Sequence, residues 1–352
     1  MKKTVIFLGA GASKADGAPL QRELFCSYFQ ACEDEGFNRR YPLKHSKVKG
    51  LVDRYFKNFF AFEEDFNYRQ AVFPTFEEAL GILDLAIERN EKYRSDLGNL
   101  YKYRTALIFA MAQAIQYKIE ARQNGMQGES HAKLIENLEE VISQGDITFI
   151  STNYDIILDN VLGRKFDVDY GFYHLDRGDA AEKSVKLLKI HGSLNWKYCP
   201  VCKCIDAKID PQGTLSIVDN PGAVTCGQCR GEAQYIIVPP TYYKDMGNVY
   251  LTNIWNNAEK VLREADHIVF SGYSLPSADM HIKYLLKRAE LNRAKENPFK
   301  ATVINYFPDK INGAIQKEEH RYHRFFKHSS QIRYIREMSF QEFSKDPFQV
   351  LE

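Results

Sequence analysis

The chain is 352 residues long, 44% hydrophobic and 26% charged, an ordinary globular composition with room for one large domain or two smaller ones. Its 47 lysines and arginines against 46 aspartates and glutamates leave a formal charge of +1, which excludes a global attraction to nucleic acid or an anionic membrane. Four of the seven cysteines stand as two close pairs, Cys199/Cys202 and Cys226/Cys229, an arrangement that points to metal rather than disulfides.

The first segment, MKKTVIFLGAGASKADGAPL, places two lysines before an apolar run, as a secretory signal would. The run is short, partly β-branched and stopped by Gly9-Ala10-Gly11, so it reads as a buried parallel strand. No later run reaches the eighteen apolar residues a membrane span needs. The expectation is a cytoplasmic protein with no membrane contact. Leu20, Leu24, Phe25, Tyr28 and Phe29 then recur at helical spacing, predicting a βα unit whose turn delivers the chain into a helix.

Residues 21–145 read as a helical insertion. TFEEALGILDLAIERN opens with Thr75 and Glu78 in capping-box relation and repeats apolar residues at Leu80, Leu83 and Ile87. The strand signal returns in DITFIST, LLKIHG, QYIIVPP, DHIVFSGYS and KATVINY, alternating with helical stretches. This pattern predicts an α/β fold, a Rossmann-like doubly wound parallel sheet. The expected domains are a Rossmann-like body from 1–20, 146–196 and 233–352, the helical insertion 21–145, and a zinc-ribbon module at 197–232.

Ligands bind such sheets at the carboxyl ends of the strands. Those ends hold small or polar residues: Gly9-Ala10-Gly11-Ala12-Ser13, Ser151-Thr152-Asn153-Tyr154-Asp155, His191-Gly192-Ser193, Gly272-Tyr273-Ser274 and Asn305. Gly9-Ala10-Gly11 permits close backbone approach, and a following helix N-terminus offers N–H groups to phosphate. A structural turn explains the same glycines, since the dinucleotide fingerprint's third glycine is Lys14 here. His191, between Ile190 and Gly192, reads either as a base or as a core histidine. Asn153 reads as a site residue or as the cap of the helix that follows, with Asp155 favouring its first turn.

Cys199, Cys202, Cys226 and Cys229 supply four thiolates from two knuckles, the tetrahedral set of structural zinc, with no coordination position left open for catalysis. Cys204 is an alternative to Cys202. The tyrosines and phenylalanines read as core and interface material. His320, His323 and His328, near the C-terminus, read as members of a solvated helix before they read as a metal site.

Taken together these residues resemble the sirtuin family. The family's Gly-Ala-Gly-x-Ser, followed after three residues by Gly-Ile-Pro-x-Phe-Arg, is similar to Gly9-Ala10-Gly11-Ala12-Ser13 and Gly17-Ala18-Pro19-Leu20-Gln21-Arg22. Its Thr-Gln-Asn-Ile-Asp resembles Ser151-Thr152-Asn153-Tyr154-Asp155, and its His-Gly followed by a zinc ribbon resembles His191-Gly192 and Cys199 to Cys229. Gly-Thr-Ser-Leu resembles Gly272-Tyr273-Ser274-Leu275, and the later ribose-contacting asparagine resembles Asn305. The resemblance implies that the loop carrying Gly9, Ala10, Gly11, Ser13, Pro19 and Arg22 folds over NAD. It also implies that Gly272, Ser274 and Asn305 contact the phosphates or ribose, and that Asn153, Asp155 and His191 surround the nicotinamide ribose as the catalytic set.

The departures are informative. Gln21 stands where sirtuin deacylases carry a shielding Phe, Thr152 stands where they carry Gln, and IIVPPTYYKDMGNVY replaces their peptide-binding loop. A polar gate admits water. With the helical insertion and the VPPTYYK stretch, the chain is most similar to bacterial sirtuin-like proteins of anti-phage defence. That likeness implies an NAD hydrolase releasing nicotinamide and ADP-ribose, silent until an oligomeric or partner-dependent signal arrives, with a homo-oligomer and a HerA-like ATPase as expected partners. The alternatives are an NAD-dependent protein deacylase and a non-catalytic sensor of NAD or ADP-ribose.

Overall fold

The computed structural model describes residues 2–40, 45–63, 66–91, 99–121, 128–173, 184–209, 224–238, 248–277, 279–294, 298–306 and 313–351. The chain divides into two compact units, one of residues 1–16, 126–192 and 244–352, the other of 17–125 and 193–243.

The first unit is built on a seven-stranded sheet. Its strands are β1 (Thr4–Leu8), β2 (Ile147–Ser151), β3 (Asp167–Asp169), β4 (Ser184–Lys189), β9 (His267–Ser271), β10 (Ala301–Ile304) and β11 (Ile332–Ile335). They lie in the order β11-β10-β9-β1-β2-β4-β3, and every pairing is parallel. The central strands β1 and β9 are buried throughout, as uninterrupted apolar runs in a sheet covered on both faces must be.

From β1 the chain winds outward through β2 toward β4, then returns to the other side of β1 for β9, β10 and β11. Right-handed crossovers in opposite directions place helices on opposite faces. The sheet is therefore doubly wound, and its switch point lies between β1 and β9.

Helices α1 (Ala10–Ala15), α7 (Glu129–Ser143), α8 (Ile157–Leu162), α9 (Val249–Glu264), α10 (Met280–Leu291), α11 (Ala314–Phe325), α12 (Phe340–Lys345) and α13 (Phe348–Leu351) complete this unit. The stretch read as the first turn is itself helical, beginning at Ala10 directly after the strand, and the helix expected from the spacing of Leu20 to Phe29 forms later, over Leu24–Glu33. Helix α7, which the reading of the sequence placed inside the insertion, belongs here. Asp16, just past α1, caps it: the Asp16 carboxylate accepts from Ser130 N at 2.9 Å and His131 N at 3.0 Å and pairs with His131 Nδ1 at 2.5 Å. Midway along α7 Asn137 Nδ2 donates to the carbonyls of Ser344 and Lys345 in α12.

The second unit holds α2 (Leu24–Glu33), α3 (Glu35–Arg40), α4 (His45–Phe60), α5 (Phe76–Glu88) and α6 (Leu100–Glu120). With them is a four-stranded sheet ordered β6-β5-β8-β7, made of β5 (Gly192–Tyr198), β6 (Ile205–Asp206), β7 (Val224–Thr225) and β8 (Glu232–Ile237). Thr75 caps α5 as its spacing predicted, accepting from Glu78 N at 3.1 Å. The core of the helical part is aromatic: Phe25 meets Phe56 edge-on at 4.8 Å, and Phe73 stacks on Phe29 and Phe62 at 5.6 and 5.4 Å.

QYIIVPP is the strand the parallel-sheet reading misassigned. Its described part is β8, antiparallel to β7, and its burial alternates near its start, the mark of a half-covered antiparallel strand. Arg104 joins the helices to that sheet, donating to Asp84 Oδ1 at 2.6 Å and to the Ile237 carbonyl at 3.0 Å.

Candidate functional site

The strand ends singled out by the sequence lie in one row. Leu8 is level with Ser151 and Ser271, Ser151 with Lys189, and Ser271 with Ile304. The ladder runs one residue further through Gly9 N to Ser271 O, Thr152 N to Leu8 O, Ile190 N to Ser151 O and Gly272 N to Ile304 O. Asn153 and His191 therefore leave adjacent strands at the same height, each two residues beyond the paired Ser151 and Lys189.

At the switch point two backbones touch. A Cβ on Gly9 would stand 2.4 Å from the Gly272 oxygen, one on Gly11 2.7 Å from the Gly272 Cα, and one on Gly272 2.3 Å from the Ala12 nitrogen. Gly272 also sits at φ +67°, where side chains are strained. Gly11 N donates to Gly272 O at 2.9 Å and Gly9 N to Ser271 O at 3.0 Å. Their N–H groups thus serve the neighbouring loop. The glycines are required by loop-on-loop packing.

Asn153 locks this loop. Its Nδ2 donates to Gly9 O at 2.9 Å and to Ser13 Oγ at 2.8 Å. A carbonyl cannot donate, so the Gly9 contact fixes which end of the amide is nitrogen. Both amide protons are committed, leaving Oδ1 as the side chain's acceptor. Asn153 does not cap the next helix. The N-cap position is Ile156, and Asp155, one residue earlier, accepts at Oδ1 from Ile157 N at 3.1 Å.

His191 is 2% exposed and Asp279 likewise. Their Nε2 and Oδ1 atoms are 3.8 Å apart, the Tyr154 ring stacks on the imidazole at 6.1 Å, and Tyr273 OH donates to Asp279 Oδ2 at 2.9 Å. Two residues before His191, Lys189 is buried in an ion pair with Asp159 at 3.0 Å, and Tyr170 OH donates to the same carboxylate at 2.7 Å. Lys189 Nζ also donates to the Asp155 carbonyl at 2.5 Å, so the two loops that present Asn153 and His191 are tied together. Sequence reasoning missed Asp279 and Lys189. A lysine inside the apolar run LLKIHG was the available signal for the second.

Asn305 is buried at the end of β10, where its Nδ2 donates to Tyr273 O at 3.0 Å and to Glu318. Tyr322 OH reaches the same Tyr273 carbonyl at 2.6 Å, and Arg321 Nη2 donates to Ser274 O at 3.0 Å. Burial raises the Glu318 carboxyl above the usual range, against the pull of Asn305, Tyr334 and Arg321. The loop after β9 is thus held from α11. Within it Leu275, buried, takes φ +49°, a strained conformation for a leucine.

Ala10 opens α1 beside Gly9, and Ser13 is buried in that helix. Pro19 and Arg22 lie in the second unit, Arg22 exposed in the short 3-10 turn Gln21–Glu23. The VPPTYYK stretch falls almost wholly outside the described residues. His320 and His328 are exposed and His323 half-buried. Among the described residues, cysteines alone form a metal-type cluster.

That cluster is Cys199, Cys202, Cys226 and Cys229, whose sulfurs lie within 4.8 Å of one another. Cys199 to Cys229 is 3.5 Å and Cys202 to Cys226 is 3.6 Å, close to the ~3.8 Å edge of a tetrahedron with Zn–S bonds of about 2.3 Å. The residues fit a structural zinc. The two knuckles have matching geometry: Cys199 N donates to Cys204 O and Lys203 N to Cys199 O, while Cys226 N donates to Gly231 O and Arg230 N to Cys226 O. Lys203 and Arg230 both take φ +62°. By this correspondence Cys202 matches Cys229 as a ligand, and Cys204 matches Gly231, which is none. Cys204 is a fifth thiol, 3.1 Å from Cys202.

Fold and site together define a doubly wound α/β protein with a separate metal-type ribbon. Residues 147–335, over half of the chain, match the SIR2-like domain, and the chain belongs to that family. No curated protein sequence matches it significantly. Similar solved structures include Sir2Tm bound to a propionylated peptide (14% identity, TM-score 0.40), which covers 98% of this chain and 92% of its own. A mutant Sir2 homologue in complex with ADP-ribose shares 15% identity at TM-score 0.38, over 98% of this chain and 90% of that one. Sir2 bound to EX-527, 2'-O-acetyl-ADP-ribose and a deacetylated peptide shares 14% at TM-score 0.38, over 98% and 92%. Among the described residues no helix is long and apolar enough to cross a membrane.

Proposed function

We propose that the chain is an NAD glycohydrolase that releases nicotinamide and ADP-ribose, acting in regulated anti-phage defence. Membership of the SIR2-like family supports NAD-dependent chemistry. The observation that carries the reading is the level placement of Asn153 and His191 at adjacent strand ends. The nicotinamide of NAD is cationic and leaves neutral, so its glycosyl bond needs none of the acid assistance of ordinary glycosides. What the site must supply is an oriented water and stabilisation of an oxocarbenium-like ribose.

Asn153 supplies an acceptor, its Oδ1, on a side chain already pinned by two donated hydrogen bonds. His191 takes a proton from water or a ribose hydroxyl. Gln21, at the position of the aromatic gate in deacylases, has an enclosed Oε1 with no hydrogen-bond partner among the described residues. Thr152, in place of the family's Gln, is directed to the Leu8 carbonyl. Homo-oligomerisation and a HerA-like ATPase are the proposed routes to activation.

The test is incubation with NAD, alone and with candidate activators, following nicotinamide by chromatography. Release without any acylated peptide is expected. Acyl-ADP-ribose formed only with an acylated peptide would make the chain a deacylase, and NAD binding without turnover under every condition would make it a sensor.

A further inference from the structure

We infer that Asp279 is the positioning carboxylate of His191, holding the imidazole in its orientation and stabilising its protonated form. The inference deepens the hydrolase reading and rests on it for the kinetic consequence alone. Asp279 is the N-cap residue of α10, where an aspartate ordinarily hydrogen-bonds the first free N–H groups of its helix. Here it makes no side-chain cap hydrogen bond. The carboxylate turns back instead, with Oδ2 receiving the Tyr273 hydroxyl at 2.9 Å and Oδ1 standing 3.8 Å from His191 Nε2.

Both side chains are 3% exposed, and a buried carboxylate is costly unless hydrogen-bonded and paired. Protonated His191 adds a counter-charge 3.8 Å from the carboxylate. The separation is a little beyond a hydrogen bond, as catalytic pairs often are before the ligand arrives. An opposite charge at that range raises the proton affinity of an imidazole by one unit or more. Other groups face the pair. Tyr154 covers the ring from the β2 loop, Tyr273 holds the far carboxylate oxygen, and Lys283 on α10 feels the Asp279 charge. Lys189 is engaged with Asp159. Asp279 reaches the ring with its Oδ1 at 3.8 Å from Nε2.

The experiment reads the His191 ring by NMR in the full-length, ligand-free protein labelled at histidine, the signal assigned by its loss in His191→Gln. In Asp279→Asn, which keeps the Tyr273 contact, the His191 titration should move to lower pH by about one unit, and Asp279→Glu should restore it in part. In Tyr273→Phe the carboxylate loses a donor, and the titration should move to higher pH, giving an independent reading if the asparagine variant does not fold. An unmoved titration in the folded variants overturns the proposal. With NAD, Asp279→Asn should lower kcat about 10- to 100-fold with KM little changed and shift the limb of the pH profile that reports His191. If wild type releases no nicotinamide, the hydrolase reading falls while the titration still decides the role of Asp279.

Discussion

Asn153 clamps the loop through its amide nitrogen and, in the proposed reaction, offers its amide oxygen, and its variants separate the two. Asn153→Ala and His191→Ala should each lower nicotinamide release by roughly 100-fold or more. Asn153→Ala should in addition lose about 1–3 kcal/mol of stability, because Gly9 O and Ser13 Oγ lose their shared donor. Melting each variant beside its rate measurement checks this, and equal melting temperatures would deny the clamp. Two other residues set the acid limit. Burial, with the nearby charges of Lys300, Lys2 and Arg333, lowers His267 to about 4, so it is neutral in the fold. The unfolded chain binds that proton from about pH 6.5 downward, and the contribution of His267 is lost between about 6.5 and 4. Burial opposes ionisation of Asp16, but its bonds to His131 and Ser130 win and hold it well below the carboxylate range. Its contribution is full above about pH 4 and lost below that as the acid form takes over. Thermal unfolding across pH should show both losses; His267→Gln should abolish the first.

At the scale of elements, the meeting of the β1 and β9 loops sets the tightest tolerance in the fold. Gly272→Ala places a Cβ 2.3 Å from the Ala12 nitrogen at φ +67°, and should cost about 2–5 kcal/mol. A melting temperature within a degree of wild type would refute that packing. The strands that frame this contact were legible because central parallel strands are apolar throughout. The row of small and polar strand ends was legible for the same reason: each apolar run stops there. The partners of those ends were not. Asp16 caps a helix more than a hundred residues away, and Asp279 reaches His191 across the sheet. Neither spacing leaves a local pattern. QYIIVPP was misplaced because a short run of β-formers is the same text in a parallel and an antiparallel sheet. For Asn153 the sequence left two readings, site residue or helix cap, and which side chain meets the first turn of α8 was decided by backbone geometry.

For the molecule as a whole, the cysteine pairs were the most legible feature, because metal ligation fixes a local spacing. The ambiguity of Cys204 needed the second knuckle as a ruler. Zinc content by mass spectrometry should be about one ion per chain, unchanged in Cys204→Ser and lost in Cys229→Ser. Removing the ion with a chelator should lower the melting temperature of the wild type. Equal loss of metal in both variants would place Cys204 among the ligands. Gly227 and Gly231 stand in the second knuckle where the first carries Pro200 and the extra thiol of Cys204.

The position of β1 in the sheet carries a consequence for synthesis. Of this sheet's strands the first along the chain occupies the middle, and its two neighbours, β2 and β9, come from far downstream. Until those arrive, TVIFL is an apolar ribbon with both edges bare, the kind of segment that aggregates or recruits a chaperone. The helical residues made in the interval are rich in local contacts and can condense first. Nascent chains halted before β9 should therefore be captured by holdases more strongly than those halted after β10.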